Sequence, residues 1–305
     1  MSHAELVVDA RHATGESPVW RGEEQALYWV DIPARALHRW SAKGHSHWTG
    51  SEMLACIAAR ADVSGEWIAG MESGLFSLKP QADGTLTASL LANVEHAASA
   101  MRFNDGRCDR QGRFLAGTMA LDMSLAQRTG RLYSYGTESN HGAPLRQLLD
   151  NFIVPNGLAF SPDGRTMYLS DSHPDVQTIW AFDYDTDTGT PSNRRVFVDM
   201  NPLPGRPDGA AMDADGCYWI CGNDAGLVHR FTPDGRLDRS LEVPVKKPSM
   251  CAFGGPKLDT LFVTSIRPGG DLSDQPLAGG LFALRPGTQG IAEPMFGMSA
   301  KAGIG

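Results

Sequence analysis

Arg206-Pro207-Asp208-Gly209-Ala210-Ala211-Met212-Asp213-Ala214-Asp215-Gly216-Cys217-Tyr218-Trp219-Ile220 is the stretch on which the fold turns. It reads as loop, short apolar strand, tight turn and second strand. Asp215-Gly216 supplies the turn, because glycine tolerates the positive φ that hairpin reversals need. Cys217 to Cys221 is a buried strand by composition, rich in aromatic and β-branched residues.

Working outward, the second strand has relatives along the whole chain. They are Leu27-Tyr28-Trp29-Val30-Asp31, Glu66-Trp67-Ile68-Ala69-Gly70, Arg113-Phe114-Leu115-Ala116-Gly117, Thr166-Met167-Tyr168-Leu169-Ser170 and Thr260-Leu261-Phe262-Val263-Thr264. Most follow a turn, as at Ser64-Gly65, Gln111-Gly112 and Asp163-Gly164. The spacing of roughly 40–50 residues is that of a four-stranded propeller blade. A third strand follows in most units, for example Gly74 to Leu78, Thr178 to Asp183 and Leu227 to Phe231. A weaker fourth closes several, as at Arg195 to Val198 and Arg239 to Val243. Long stretches with a helical period and proper caps are absent. The chain therefore reads as all-β, a six-bladed β-propeller forming a single domain over residues 1–305. Leu6-Val7-Val8 and Glu293-Pro294-Met295-Phe296 are expected to supply edge strands to one shared blade, which would hide the edge of an open ring. Asp122 to Thr129 and Arg267 to Pro276 are expected as loops overhanging one face.

The net charge of −8 argues against nucleic acid, whose phosphates call for clustered Lys and Arg. No apolar run is long enough to span a bilayer, and Met1 to Ala10 has no secretory pattern. The five cysteines include no C-x-x-C pair. Cys217 and Cys221 share one apolar strand, so they read as buried free thiols in a reducing cytoplasm.

In a propeller the innermost strand of each blade runs along the central channel. Counting back about ten residues from each anchor strand reaches the loops at one mouth of that channel. There stand Glu16 in the first unit, Asn104 or Asp105 in the third, Asn156 in the fourth and Asp208 in the fifth. The second and sixth units offer Cys56 and Ser249 or Met250. Each Asx-Gly dipeptide alone is an ordinary turn former. Four oxygen-bearing side chains at a shared phase are what single these positions out. Glu, Asn and Asp oxygens suit one divalent cation, with Ca²⁺ first and Mg²⁺, Mn²⁺ or Zn²⁺ as alternatives. Asp163, Asp215 and Asp234 fall in turns at the opposite mouth and read as structural.

Gly15-Glu16-Ser17-Pro18-Val19-Trp20, Arg102-Phe103-Asn104-Asp105-Gly106, Phe114-Leu115-Ala116-Gly117-Thr118-Met119, Asn156-Gly157-Leu158-Ala159-Phe160-Ser161, Pro207-Asp208-Gly209 and Cys251-Ala252-Phe253-Gly254-Gly255 together resemble the gluconolactonase/regucalcin family, also called the senescence marker protein family. The resemblance runs from about Gly15 to about Leu284. It implies a metal held by Glu16, Asn156 and Asp208; Asp208, able to reach both metal and water, is then the expected general base. It implies substrate contacts from Arg102 and Asn104, and puts Asp122 where the family carries a Glu. The activity implied is hydrolysis of a sugar lactone to its aldonic acid. Two other classes are compatible with the same residues: a non-catalytic propeller binding calcium or a protein partner, and a metal-dependent esterase acting on a non-sugar ester. No Gly-x-Ser-x-Gly elbow supports a serine hydrolase.

Overall fold

The structure, a computed structural model, describes residues 4–136 and 145–298. Residues 1–3, 137–144 and 299–305 of the expected single domain lie outside the described residues. Six four-stranded antiparallel sheets follow one another around a ring, making a six-bladed β-propeller. Blades 1 to 5 are consecutive in sequence, each running from innermost to outermost strand. Their inner strands are Gly15–Arg21, Cys56–Ala59, Met101–Cys108, Pro155–Phe160 and Arg206–Met212. The anchor strands found in the sequence are the second strands of the blades, for instance Ala26–Asp31, Thr166–Asp171 and Tyr218–Asn223. These second strands are buried almost throughout, because both faces of each blade pack on neighbours. Trp29, Trp219, Tyr218, Phe114 and Phe282 are among the largest fully buried side chains. Each contributes roughly 2–3 kcal/mol by leaving water.

Blade 6 closes the ring. Pro248–Gly254, Thr260–Ser265 and Leu281–Leu284 form its inner three strands, and the N-terminal Glu5–Val8 pairs with Leu281–Leu284 as the outermost. The expectation for the N-terminus holds, but the one for Glu293 to Phe296 does not. With the blade's outer edge already paired, the chain after Leu284 runs beneath the ring as a strap, making isolated bridges at Gly290 with Asp213 and at Phe296 with Arg60. Ala214 N donates to Gln289 O in blade 5, and Gly290 N to Leu258 O in blade 6. Arg107 of blade 3 donates to Glu293 at 2.9 Å. Phe296 exchanges backbone hydrogen bonds with Ala59 and Ala61 next to blade 2. Beside Glu293 the space lined by Gly106, Arg107, Cys108 and Met250 measures only about 10 Å³, room for one water at most. The strap thus crosses beneath blades 5, 6, 3 and 2 in turn.

One irregularity repeats in five of the six inner strands. In each, two residues oppose one on the partner strand, with register shifts at Glu16/Val19, Phe103/Gly106, Asn156/Ala159, Pro207/Ala210 and Pro248/Cys251. Such β-bulges re-aim side chains and gather beside active sites. Blade 2 pairs Cys56–Ala59 with Trp67–Gly70 without a shift, and it contributes no oxygen at this level.

Candidate metal centre and substrate pocket

Because of the bulges, the site residues do not share one ladder position as the sequence count implied. Glu16 and Asn156 are the last paired residues before their bulges, opposite Val30 and Ser170. Asn104 and Asp208 lie one residue later, inside theirs. The extra residue turns both kinds of position toward the upper mouth. The glycines after Asn156 and Asp208 are therefore part of bulges, not of reverse turns. Gly157 has φ +61, and a Cβ there would lie 2.4 Å from the Tyr218 hydroxyl. A Cβ on Gly209 would lie 2.3 Å from Met250.

Asn156 Nδ2 donates to Asp208 Oδ1 at 2.8 Å, and also to Ser172 Oγ at 2.8 Å. Glu16 Oε2 accepts from Ser17 N at 3.1 Å. Burial pushes the Glu16 carboxyl well above the usual range, and the charges of Asp208 and then Asp105 push it further. Burial also raises Asp208, to about 7, against the pull of Arg206 and the Asn223 hydrogen bond. The two acids are close enough for the charge of Asp208 to raise the Glu16 carboxyl. Arg102 is the cation nearest in effect, lowering Glu16 while its own pKa is depressed by burial. Its guanidinium donates to Asn104 Oδ1 at 2.8 Å and to Phe103 O at 2.7 Å. Asn104 Nδ2 donates in turn to Pro155 O at 3.1 Å. Five of the six residues named from the sequence thus meet around one mouth.

Asp122 joins them through no described contact. It is exposed and caps a short 3₁₀ turn, Met123–Leu125, accepting from Ser124 N at 3.0 Å and Ser124 Oγ at 2.6 Å. Asp105, the alternative to Asn104 in the sequence, turns away from the mouth. Its Oδ2 accepts from Leu158 N at 2.8 Å, and its Oδ1 is buried with no partner.

Sequence reading missed Asn223, which donates to Asp208 Oδ2 at 2.6 Å, and Ser172, which receives Asn156. The available signal was a polar residue at or just past the end of an anchor strand: Asn223 ends Tyr218–Asn223 and Ser172 follows Thr166–Asp171.

The donor set fits a hard divalent cation. It holds two carboxylates with raised proton affinity and a carboxamide whose NH₂ is already committed, leaving its oxygen to face outward. Among the described residues no cluster of three His, Cys, Asp or Glu forms a metal site, and this centre would depend on Asn156 for its third ligand.

A six-bladed propeller with oxygen-bearing side chains at one axial mouth defines the class of protein. Residues 14–267 match the family model described as SMP-30/Gluconolactonase/LRE-like region, and the chain belongs to that family. It is 40% identical over 295 residues to the 6-deoxy-6-sulfogluconolactonase of Pseudomonas putida, spanning 95% of this chain and 97% of that protein. It is 34% identical to human regucalcin over 298 residues, 94% of this chain and 96% of that protein. A solved structure of a calcium-binding protein, regucalcin, from Agrobacterium tumefaciens superposes with a TM-score of 0.87 at 27% identity, covering 97% of this chain and 98% of that one.

Proposed function

We propose that the chain hydrolyses a sugar lactone to the aldonic acid with the help of one divalent cation, Ca²⁺ being the best chemical match, at Glu16, Asn156 and Asp208. The observation that carries this reading is the convergence of those residues from blades 1, 4 and 5, anchored by the 2.8 Å contact between Asn156 and Asp208. Like charges held together in a largely buried pocket are costly unless a cation joins them. When bound, the cation supplies Lewis-acid polarisation of the lactone carbonyl.

The chain's own residues do the rest. Arg102 and Asn104, already locked to each other, present guanidinium and amide donors to the lactone's hydroxyl and ring oxygens. Asp208 accepts the proton of the attacking water as the new C–O bond forms. The bond from the carbonyl carbon to the ring oxygen then breaks, and Asp208 returns the proton to that oxygen. Asp208 needs to be ionised to start, which Arg206 and Asn223 favour. Asp122, at the rim, is the remaining candidate for reading the far end of the sugar. The Pseudomonas relative puts a gluconolactone skeleton first among substrates to try.

A second reading, calcium binding without catalysis, takes support from the likeness to the calcium-binding protein of Agrobacterium tumefaciens. Among the described residues no helix is long and apolar enough to cross a membrane, and all five cysteines are free and buried, which supports a reducing cytoplasm. Assaying a panel of aldonolactones against several divalent cations, with and without chelator, separates the readings. Metal-dependent ring opening is expected. Cation binding with no turnover of any lactone would leave the second reading.

A further inference from the structure

The six blades repeat one another, so residues at the same register position can be compared. Gly15 pairs with Asp31 in blade 1, Pro155 with Asp171 in blade 4, and Arg206 with Asn223 in blade 5. In blade 1 the Asp31 carboxylate accepts from Ala13 N and Thr14 N, fixing the loop that leads to Glu16. In blade 4 the Asp171 carboxylate accepts from Ile153 N at 2.7 Å and Val154 N at 3.0 Å, fixing the loop that leads to Asn156. Blade 5 breaks the pattern. Its residue is a carboxamide, and it turns onto Asp208 itself.

The orientation of that amide is set from both ends. Nδ2 donates to Asp208 Oδ2 at 2.6 Å, and Oδ1 accepts from the Arg206 guanidinium at 3.3 Å. Arg206 is held in turn by Asp224, through Nε at 2.6 Å, and by Ser172 O at 3.2 Å. Lys247 of blade 6 pairs with the same Asp224. Ser172 also carries the Asn156 amide and donates to Pro207 O. A carboxylate at 223 would set a third negative charge against Asp208, in the pocket where Glu16 already repels it. An apolar residue would leave Oδ2 without a donor.

We infer that Asn223, pinned by Arg206, is a positioning residue that clamps the Asp208 carboxylate in the orientation needed to bind a divalent cation. The inference rests on the metal-centre reading above. Asn223 touches neither cation nor substrate directly; it acts by fixing which way the Asp208 oxygens point. Partners behind a ligand commonly matter by one to two orders of magnitude in metal affinity.

The test uses the full chain stripped of metal and titrated calorimetrically with Ca²⁺, then Mn²⁺ and Zn²⁺, beside thermal melts of the metal-free protein. Asn223→Ala is expected to weaken cation binding about tenfold or more. A merely structural role would lower the metal-free midpoint and leave the affinity alone, and that result overturns the inference. If the alanine variant does not fold, Arg206→Gln carries the test. It leaves Asn223 in place and frees the far end of its amide, so a loss of about threefold is expected, and unchanged affinity overturns the inference. A wild-type protein that binds none of the three cations defeats the metal-centre reading, and the role of Asn223 falls with it. Wild-type binding with unaffected variants sinks the role of Asn223 alone.

Discussion

Buried carboxylates occur at both mouths of the channel, and their surroundings differ. At the lower mouth, Asp213 is fully buried and accepts from Arg230 Nε at 2.8 Å, Trp219 Nε1 at 2.8 Å, Cys217 N and Asp215 N. Asp109 is likewise enclosed by Arg113 NH1 at 2.7 Å, Tyr184 OH at 2.8 Å and two backbone amides. At the upper mouth, among the described residues, Asp208 receives hydrogen bonds only from neutral amides and Glu16 from a single backbone N–H. The lower acids are complete, each with its own cation. The upper pair has its proton affinity raised, with Arg206 and Arg102 acting on it only through space. Fold and function use the same residue type, and the difference lies in whether the chain supplies the counter-charge.

Substitutions at the two mouths should therefore have opposite signatures. The largest effect is expected from Asp208→Ala, with lactone turnover down about 10³-fold or more. Near-normal turnover in that variant would refute its assigned role. The metal-free variant should melt no lower than wild type at pH 8. The sign follows from linkage: a carboxyl raised to about 7 in the fold stabilises it at pH below its unfolded value near 4. That contribution disappears as pH climbs through 7, so deleting the group relieves at most about 4 kcal/mol of strain. Calorimetry from pH 5 to 8 would expose it as a wild-type midpoint falling with pH relative to the variant.

Arg230→Ala, at the lower mouth, should do the reverse. It strands a fully buried Asp213 and costs about 3–5 kcal/mol of stability, while turnover per folded molecule stays near normal. Urea unfolding combined with active-site titration checks both halves. Cation binding comes next in size. At a hundredfold excess over its dissociation constant it should stabilise wild type by about 2.7 kcal/mol and Asp208→Ala hardly at all. A cation that stabilised both equally would be binding elsewhere. The smallest effect belongs to Asp122→Glu. A shift of a few-fold between pentono- and hexonolactones is expected if the rim carboxyl reads the sugar, a difference of about 1 kcal/mol or less. Identical preferences would leave Asp122 as the cap of Met123–Leu125 and nothing more.

The propeller was legible because its signals are local. Asp-Gly and related turns, followed by aromatic strands such as Cys217 to Cys221, fall every few tens of residues, and each copy tells the same story. The candidate ligands were legible for a similar reason, since they precede those strands by a near-constant count. The bulges were not. Whether Asp208 is a ladder residue or lies beside one depends on how Pro207–Ala210 registers against Ile220–Gly222, which no single strand encodes. The strap was misread because Glu293 to Phe296 looks like any short edge strand. Its fate follows from Glu5–Val8 occupying the outer edge of blade 6.

By itself, then, the sequence determined the blade, its repetition and the residue types brought to the channel, since these follow from side-chain periodicity and turn chemistry over a few neighbours. Tertiary structure decided which of those acids would be neutralised by an arginine and which would be left facing each other. It also decided that Asn223, distant from Asn156 in the chain, would hold the other side of the same carboxylate. The reason is physical: charge and hydrogen-bond partners are set by distances across blades, and closing the ring is what fixes those distances.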